Sequence, residues 1–284
     1  MTTYKDEFIE NGFCIIKSAV KTETVNITNN AIDILLKTHR SMLHREGLLS
    51  DNMLTRVVNL HHSVSSLKQV FFESMESSSK ITDLYGRATL YTSLFFEKGS
   101  QQSLHRDTPY FYTGNQNGYM GVWAALDDVT EDNGALIAVK GSHKIPEPDL
   151  IKLKNQFYRF TSVPSSSEKL FNAYNEKIIA ISDSIGLEKF VCKVSKGDII
   201  VWHPSTLHGG MLHKDLKKTR RSFVMHITPK NTPVKHMDFF FNREKAVKKI
   251  KKEYDTFQGR LIEKGNIIDF MHKKTYKSEE LGIF

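Results

Sequence analysis

Between Arg87 and Pro229 the chain is a succession of short runs dense in β-branched and aromatic residues. The clearest are "RATLYTSLFFEKG", "GYMGVWAALDDV", "ALIAVKGSH", "FVCKVSKGDIIVWH" and "TRRSFVMHITP", punctuated by Gly, Asn and Asp. Runs of this length and texture are strands. Several short strands bounded by turns predict a sandwich or barrel of the jelly-roll kind. Such a sheet needs its outer face covered, and the flanking sequence supplies helices. Residues 4–11 read as a short helix followed by a strand, "GFCIIKSAV". Val25, Ile32, Leu35 and Leu36 recur at helical spacing, so about 22–40 is an amphipathic helix. Residues 65–84 hold another. Helices gathered ahead of the strands fit one covered face.

The strand pattern is interrupted once. "DLIKLKNQFYRF" and "SEKLFNAYNEKIIAISDSI" read as helices, and the stretch is too long for a hairpin connection. About 146–190 is therefore expected to be a helical insertion lying over the mouth of the fold. From about 234 to 284 the chain turns basic, and a helical C-terminal segment is expected. No linker divides the chain, so 1–284 reads as one domain, mainly β with flanking helices.

Apolar residues make up 39% and charged residues 25%, an ordinary globular composition. The net charge of +8 suits an anionic partner or substrate. Much of the excess lies in "REKAVKKIKKEY", where Lys245, Lys248, Lys249, Lys251 and Lys252 read as a solvated helix face. Nucleic acid is not the expected partner, because no aromatic–basic interleaving accompanies the charge. Cys14 and Cys192 sit in apolar runs, as buried thiols of a reducing compartment do, and a cytoplasmic location is expected. No secretory h-region and no run of 18 apolar residues is seen, so no membrane span is expected.

Two separated stretches hold the residue types of a metal site. In "QSLHRDTPYF", His105 and Asp107 stand at i and i+2, which on extended backbone puts both side chains on one face. His-x-Asp alone is a weak signal and needs a second histidine. About a hundred residues on, "KGDIIVWHPSTLHGGMLHKD" offers His203, His208 and His213. Two histidines and a carboxylate on one side of a divalent first-row metal leave the opposite positions open. Arg220 opens the strand "RRSFVMHI" and is shaped to hold a carboxylate by two parallel hydrogen bonds. Together these are what an Fe(II) oxygenase using 2-oxoglutarate and O2 requires.

In this ordered combination the sequence resembles the phytanoyl-CoA dioxygenase family of Fe(II)/2-oxoglutarate oxygenases. The resemblance runs through "FIENGFCIIKSAV", "FFEKGSQQSLHRDTPYF", "GVWAALDDVTEDNGALIAVKGSHK", "KGDIIVWHPSTLHGG" and "TRRSF". It implies a double-stranded β-helix, the cupin-like jelly roll. It implies His105, Asp107 and His208 as iron ligands, Arg220 as the anchor of the co-substrate's far carboxylate, and Trp123 as a wall of that pocket. Arg221, the next residue on a strand, faces the other way. Many members carry a hydroxyl residue two positions after the distal histidine, where this chain has Gly210. Thr92 or Lys98 is the expected substitute donor. Family halogenases replace the carboxylate ligand by a small residue, so Asp107 favours hydroxylation, with release of succinate and CO2.

The remaining candidates have plainer readings. His203 precedes Pro204 as a strand-end residue, His213 is expected to face solvent, and His61 and His62 are expected at the surface. His143 lies in a turn, at most lining the entrance, and His226 faces either the core or the pocket, the plainer reading being a satisfied core histidine. Arg106 should point away from His105 and Asp107 into a structural salt bridge. Tyr110 and Gln102 are the candidates for touching a small, anionic substrate. The rival readings are a metal jelly roll that uses no 2-oxoglutarate, a jelly roll without turnover, and a nucleic-acid oxygenase.

Overall fold

The computed structural model describes residues 3–114, 118–245, 247–248 and 250–284. Three helices lie on one side of a large sheet: α1 (Tyr4–Asn11), α2 (Thr22–Arg45) and α3 (Ser66–Thr82). The sheet has ten strands. Its centre is formed by β1 (Phe13–Ile16), β2 (Val57–Val58), β3 (Ala88–Phe96) and β4 (Met120–Ala125), with β7 (Ile199–Trp202) and β9 (Ser222–Pro229). The order is β1–β7–β4–β9–β3–β2. A smaller sheet faces it, in the order β6 (Lys189–Cys192), β5 (Leu136–Val139), β8 (His208–Gly210). This is the two-sheet jelly roll that the strand texture predicts.

Side chains alternate regularly along β4, β7 and β9, whereas β3 shifts register between Leu90 and Thr92. Val122, Ala124, Ile199, Val201, Phe223 and Met225 face α2 and α3, where Ile32, Leu35, Val70 and Phe71 complete the main core. Trp123, Ala125, Ile200, Trp202 and Val224 face inward, toward the small sheet. A strand buried on both faces needs apolar residues at every position, and all six residues of β4 are buried. The inner face has a gap at Gly121. A Cβ there would lie 2.1 Å from the Trp202 indole, so only glycine lets the ring lie flat across β4.

The insertion is helical as expected. It contains α4 (Leu150–Tyr158) and α5 (Glu168–Ser184), started by Asp149 and Ser167 as N-caps. With Val139, Leu207, Phe240 and Phe241 it forms a third apolar cluster on the open side of the small sheet.

The C-terminal segment corrects the sequence reading. Beyond residue 233 the only helices among the described residues are α6 (Met237–Phe240) and α7 (Ser278–Leu281). Two hairpins fill most of the rest: β10 (Tyr254–Phe257) with β11 (Arg260–Glu263), and β12 (Ile267–Phe270) with β13 (Lys274–Lys277). The turn Gln258–Gly259 has φ of +45° and +79°, the mirror-image two-residue turn that suits a hairpin. The high Lys and Glu content suggested helix, whereas charge on strands is also how sheet edges are kept from pairing with other chains. β11 and β12 extend the large sheet by pairing with β3 and β2. Lys252 is not on a solvated face: it pairs with Glu263 at 2.6 Å and lies over the Tyr91 ring. Lys249 lies outside the described residues.

Gly121→Ala is expected to cost about 1–3 kcal/mol through overpacking against Trp202. Urea unfolding would show it as a lower midpoint at constant slope, and an unchanged midpoint would contradict this packing.

Candidate metal centre

His105 and His208 are joined backbone to backbone. The His105 N–H donates to the His208 carbonyl at 2.9 Å, and the His208 N–H donates to the His105 carbonyl at 3.0 Å. This antiparallel pair aligns the imidazoles on one face, ring centres 4.5 Å apart. Each Nδ1 lies against the carbonyl two residues before it, Ser103 at 2.8 Å and Thr206 at 3.0 Å. A carbonyl only accepts, so each Nδ1 carries the proton and each Nε2 presents its lone pair. Asp107 follows on a turn whose N–H donates to the Pro204 carbonyl at 3.2 Å.

The Asp107 carboxylate is held by two donors on one oxygen. Trp202 Nε1–H and the Tyr119 hydroxyl each donate to Oδ2 at 2.9 Å. That leaves Oδ1 toward the histidines, 3.8 Å from His105 Nε2, while His208 Nε2 is 3.8 Å from Oδ2. The three candidate donor atoms lie within 4.8 Å of one another. Atoms sharing one ion at about 2.0–2.2 Å lie roughly 3–4 Å apart, so small side-chain rotations bring them onto it. The protonation states also fit. Burial, and then the neighbouring His208, push the His105 pKa down to about 4. Burial alone would raise Asp107, but His208, His105 and His226 outweigh it and hold the carboxyl below its usual value. A neutral imidazole and an ionised carboxylate are the ligand forms a metal binds.

Tyr119, Trp202 and His226 form the support that sequence reasoning missed. Gly121, Trp202 and His226 share one rung of the large sheet, which aims the indole and imidazole inward together. Tyr119 bonds both Asp107 and His226 Nδ1, and Phe111 stacks on both Tyr119 and His226. The period-two pattern of "DIIVWH" could have placed Trp202 inside; nothing in the sequence points to Tyr119.

Arg106 does turn away. Its side chain is fully buried, donates to the Ser142 and Ile145 carbonyls, and lies 3.9 Å from Glu147. Its backbone N–H donates to Asn175 of α5 at 2.9 Å, tying the insertion to the residue between two candidate ligands. One turn earlier on α5, Phe171 lies 6.0 Å from the His105 ring and 4.8 Å from Tyr110. The insertion thus forms a wall of the site together with Tyr110. Gln102 is exposed, and its carbonyl accepts from Gly210.

Arg220 and Arg221 separate as alternation requires. Arg221 pairs with Asp33 at 2.6 Å and Glu97 at 2.9 Å, on the helical side. Arg220 is buried, 5.6 Å from the Trp123 ring, with Nη1 donating to the Gly134 carbonyl at 3.1 Å. Among the described residues no carboxylate pairs with it, and its Nε has no partner. Burial lowers its pKa to about 10, so it remains a cation at neutral pH. A buried cation without a counter-charge is costly and calls for an anionic ligand.

Several placements correct the sequence reading. Thr92 pairs across the sheet with His226, six residues along the ladder from the level of Arg220. That is about 20 Å of strand, too far to share a carboxylate with Arg220. Its hydroxyl donates to Asn59 instead. Lys98 stands at the level of Arg220 but pairs with Asp51. His213 is buried, not solvent-facing, and His61 is buried with Nδ1 on the Ser93 hydroxyl. His203 packs beside His143 and Phe8, away from the three candidate ligands.

A jelly roll in which two histidines and a carboxylate converge presents a candidate mononuclear metal site. The family model for phytanoyl-CoA dioxygenase (PhyH) matches residues 8–222, and the chain belongs to that family. Phytanoyl-CoA dioxygenase 1 of Oryza sativa subsp. japonica is 25% identical over 195 residues, covering 64% of this chain and 61% of its own length. The chain thus spans about three fifths of that relative. The solved structure of the non-heme alpha ketoglutarate dependent carbocyclase SnoK from nogalamycin biosynthesis superposes with a TM-score of 0.61 at 15% identity, covering 88% of this chain and 93% of SnoK. The epimerase SnoN, in complex with Fe3+, alpha ketoglutarate and nogalamycin RO, superposes with a TM-score of 0.56 at 13% identity, covering 92% and 96%. These likenesses show a shared fold. No helix among the described residues is long and apolar enough to cross a membrane.

Burial pushes the pKa values of His62, His203 and His213 down to about 4. In the unfolded chain each titrates near 6.5, so between about pH 6.5 and 4 the unfolded state binds more protons. Stability is therefore expected to be full above about pH 6.5 and to fall progressively toward pH 4. Urea midpoints across that range check this; a flat profile would contradict it.

Proposed function

We propose that the protein is an Fe(II)/2-oxoglutarate-dependent dioxygenase that oxidises a C–H bond of a small anionic metabolite. The observation that carries this reading is the combination of three convergent ligand atoms with a buried, unpaired Arg220 on the same inner face. His105, Asp107 and His208 would hold the iron, Arg220 the far carboxylate of 2-oxoglutarate, and Trp123 would wall that end. Bound iron with 2-oxoglutarate and O2 supplies the oxidising power, with succinate and CO2 as co-products.

The chain's own residues do the rest. Tyr119 and Trp202 fix the Asp107 carboxylate so that one oxygen stays free for the metal. Phe171 and Tyr110 exclude water from one side and offer apolar surface to a substrate. Arg56 supports an anionic substrate. It lies two residues before Val58, which pairs with the inward-facing Leu94, so alternation turns it to the same face. Its strongest charge partner is Asp269, and its field also reaches Asp107, His105 and His226. Asp107 in place of a small residue favours hydroxylation over halogenation. Carbocyclase and epimerase are the descriptions of two proteins sharing the fold, so the outcome depends on what is seated at the mouth.

Succinate release with Fe(II), ascorbate, 2-oxoglutarate and a panel of anionic metabolites tests the reading. His105→Ala and His208→Ala are expected to abolish it, and Arg220→Ala to raise the 2-oxoglutarate requirement by about two orders of magnitude. Unchanged succinate formation in these variants would overturn the assignment.

A further inference from the structure

The family's usual hydroxyl donor, two residues after the distal histidine, is absent here, and Gly210 occupies the position. Neither Thr92 nor Lys98 is free to replace it. Another buried polar group does lie beside Arg220. The Gly99 N–H donates to His213 Nε2 at 3.1 Å. A backbone N–H can only donate, so Nε2 is the acceptor and the proton of the neutral ring is on Nδ1. That Nδ1 is buried and has no partner among the described residues, and the same is true of Arg220 Nε. Both orphaned donors belong to side chains packed against the same Gly99 and Gly134 backbone, and buried donors in a native structure call for an acceptor.

The backbone around them is built to bring the two side chains together. Gly99 passes so near the Arg220 guanidinium that a Cβ would lie 2.7 Å from Cζ. Gly134 accepts from Arg220 Nη1 and passes equally close to His213, whose Cδ2 would lie 2.5 Å from a Cβ. The His213 N–H donates to Gln101 Oε1 at 3.3 Å, which steadies the segment carrying the ring. His213 is thus fixed in position and tautomer with one donor unused.

The geometry points to His213 as the second residue that binds the far carboxylate of 2-oxoglutarate, with Nδ1–H donating to one oxygen while Arg220 holds the charge. This rests on the proposed co-substrate and adds the residue that takes over from the missing hydroxyl. A neutral donor beside a cation suits one carboxylate, since a second cation would repel Arg220. Gly210 lies on β8 in line with His208. A Cβ there would meet its nearest atoms at 3.4 Å, so a serine is accommodated without strain.

The test is equilibrium binding of 2-oxoglutarate and of oxalate to the Co(II)-loaded protein, read by calorimetry. Oxalate reaches the metal but has no far carboxylate. His213→Phe is expected to weaken 2-oxoglutarate binding by at least about tenfold, as loss of a hydrogen bond to a charged group does, and to leave oxalate binding unchanged. Adding Gly210→Ser to His213→Phe is expected to restore most of the affinity. Unchanged 2-oxoglutarate binding in His213→Phe, or equal weakening of both ligands, would overturn the inference. Wild-type protein that binds oxalate but not 2-oxoglutarate would instead overturn the proposed function. Loss in Arg220→Ala with no loss in His213→Phe would sink the role of His213 alone.

Discussion

Two hydrogen bonds between the backbones of His105 and His208 hold the site together. They join a loop that leaves the large sheet to β8 of the small one, and so fasten residues about a hundred positions apart. An antiparallel pair with both bonds made fixes the facing of both side chains at once. The two imidazoles cannot diverge without breaking the bridge. Asp107 then follows on a turn anchored to Pro204, on the same approach to β8. The geometry of the candidate metal site is thus a property of how the two sheets meet, and the inward rows of the large sheet serve it. Gly121 makes room for Trp202, and Trp202 and Tyr119 hold Asp107.

The electrostatics follow from burial. Burial first, then His208, keeps His105 neutral, the surrounding imidazoles keep Asp107 ionised against its burial, and the carbonyls at Ser103 and Thr206 choose the tautomer. Arg220 is the opposite case, a buried charge with no carboxylate partner among the described residues. A protein gains little stability from such a group, so its retention points to a ligand. The proposed function rests on these two features together, since either alone has a structural explanation.

Much of this was legible in the sequence. Strand-forming runs and the 3.6-residue spacing of Ile32 and Leu35 led to the sheet and to α2, because burial enforces both periods. His105, Asp107 and His208 converge as read, and Arg220 and Arg221 part to opposite faces because a strand alternates. What was hidden depended on contacts distant in sequence. Tyr119 matters only because its hydroxyl reaches Asp107, and Asn175 only because α5 folds over Arg106. His213 and His61 looked superficial because their surroundings are polar in sequence, yet segments distant in sequence cover them in space. The hairpins after residue 250 were obscured by Lys and Glu, whose helical preference gives way where a Gln-Gly turn sets the register.

The central claim is that three prealigned side chains bind one iron and leave adjacent positions for 2-oxoglutarate. Anaerobic titration with Fe(II) in the presence of 2-oxoglutarate, followed by the visible charge-transfer absorption of the chelate, measures this directly. The account predicts saturation at one iron per chain, and no absorption when Asp107 is replaced by asparagine and His208 by alanine together. Saturation at another stoichiometry, or an unchanged titration in the double variant, would contradict it.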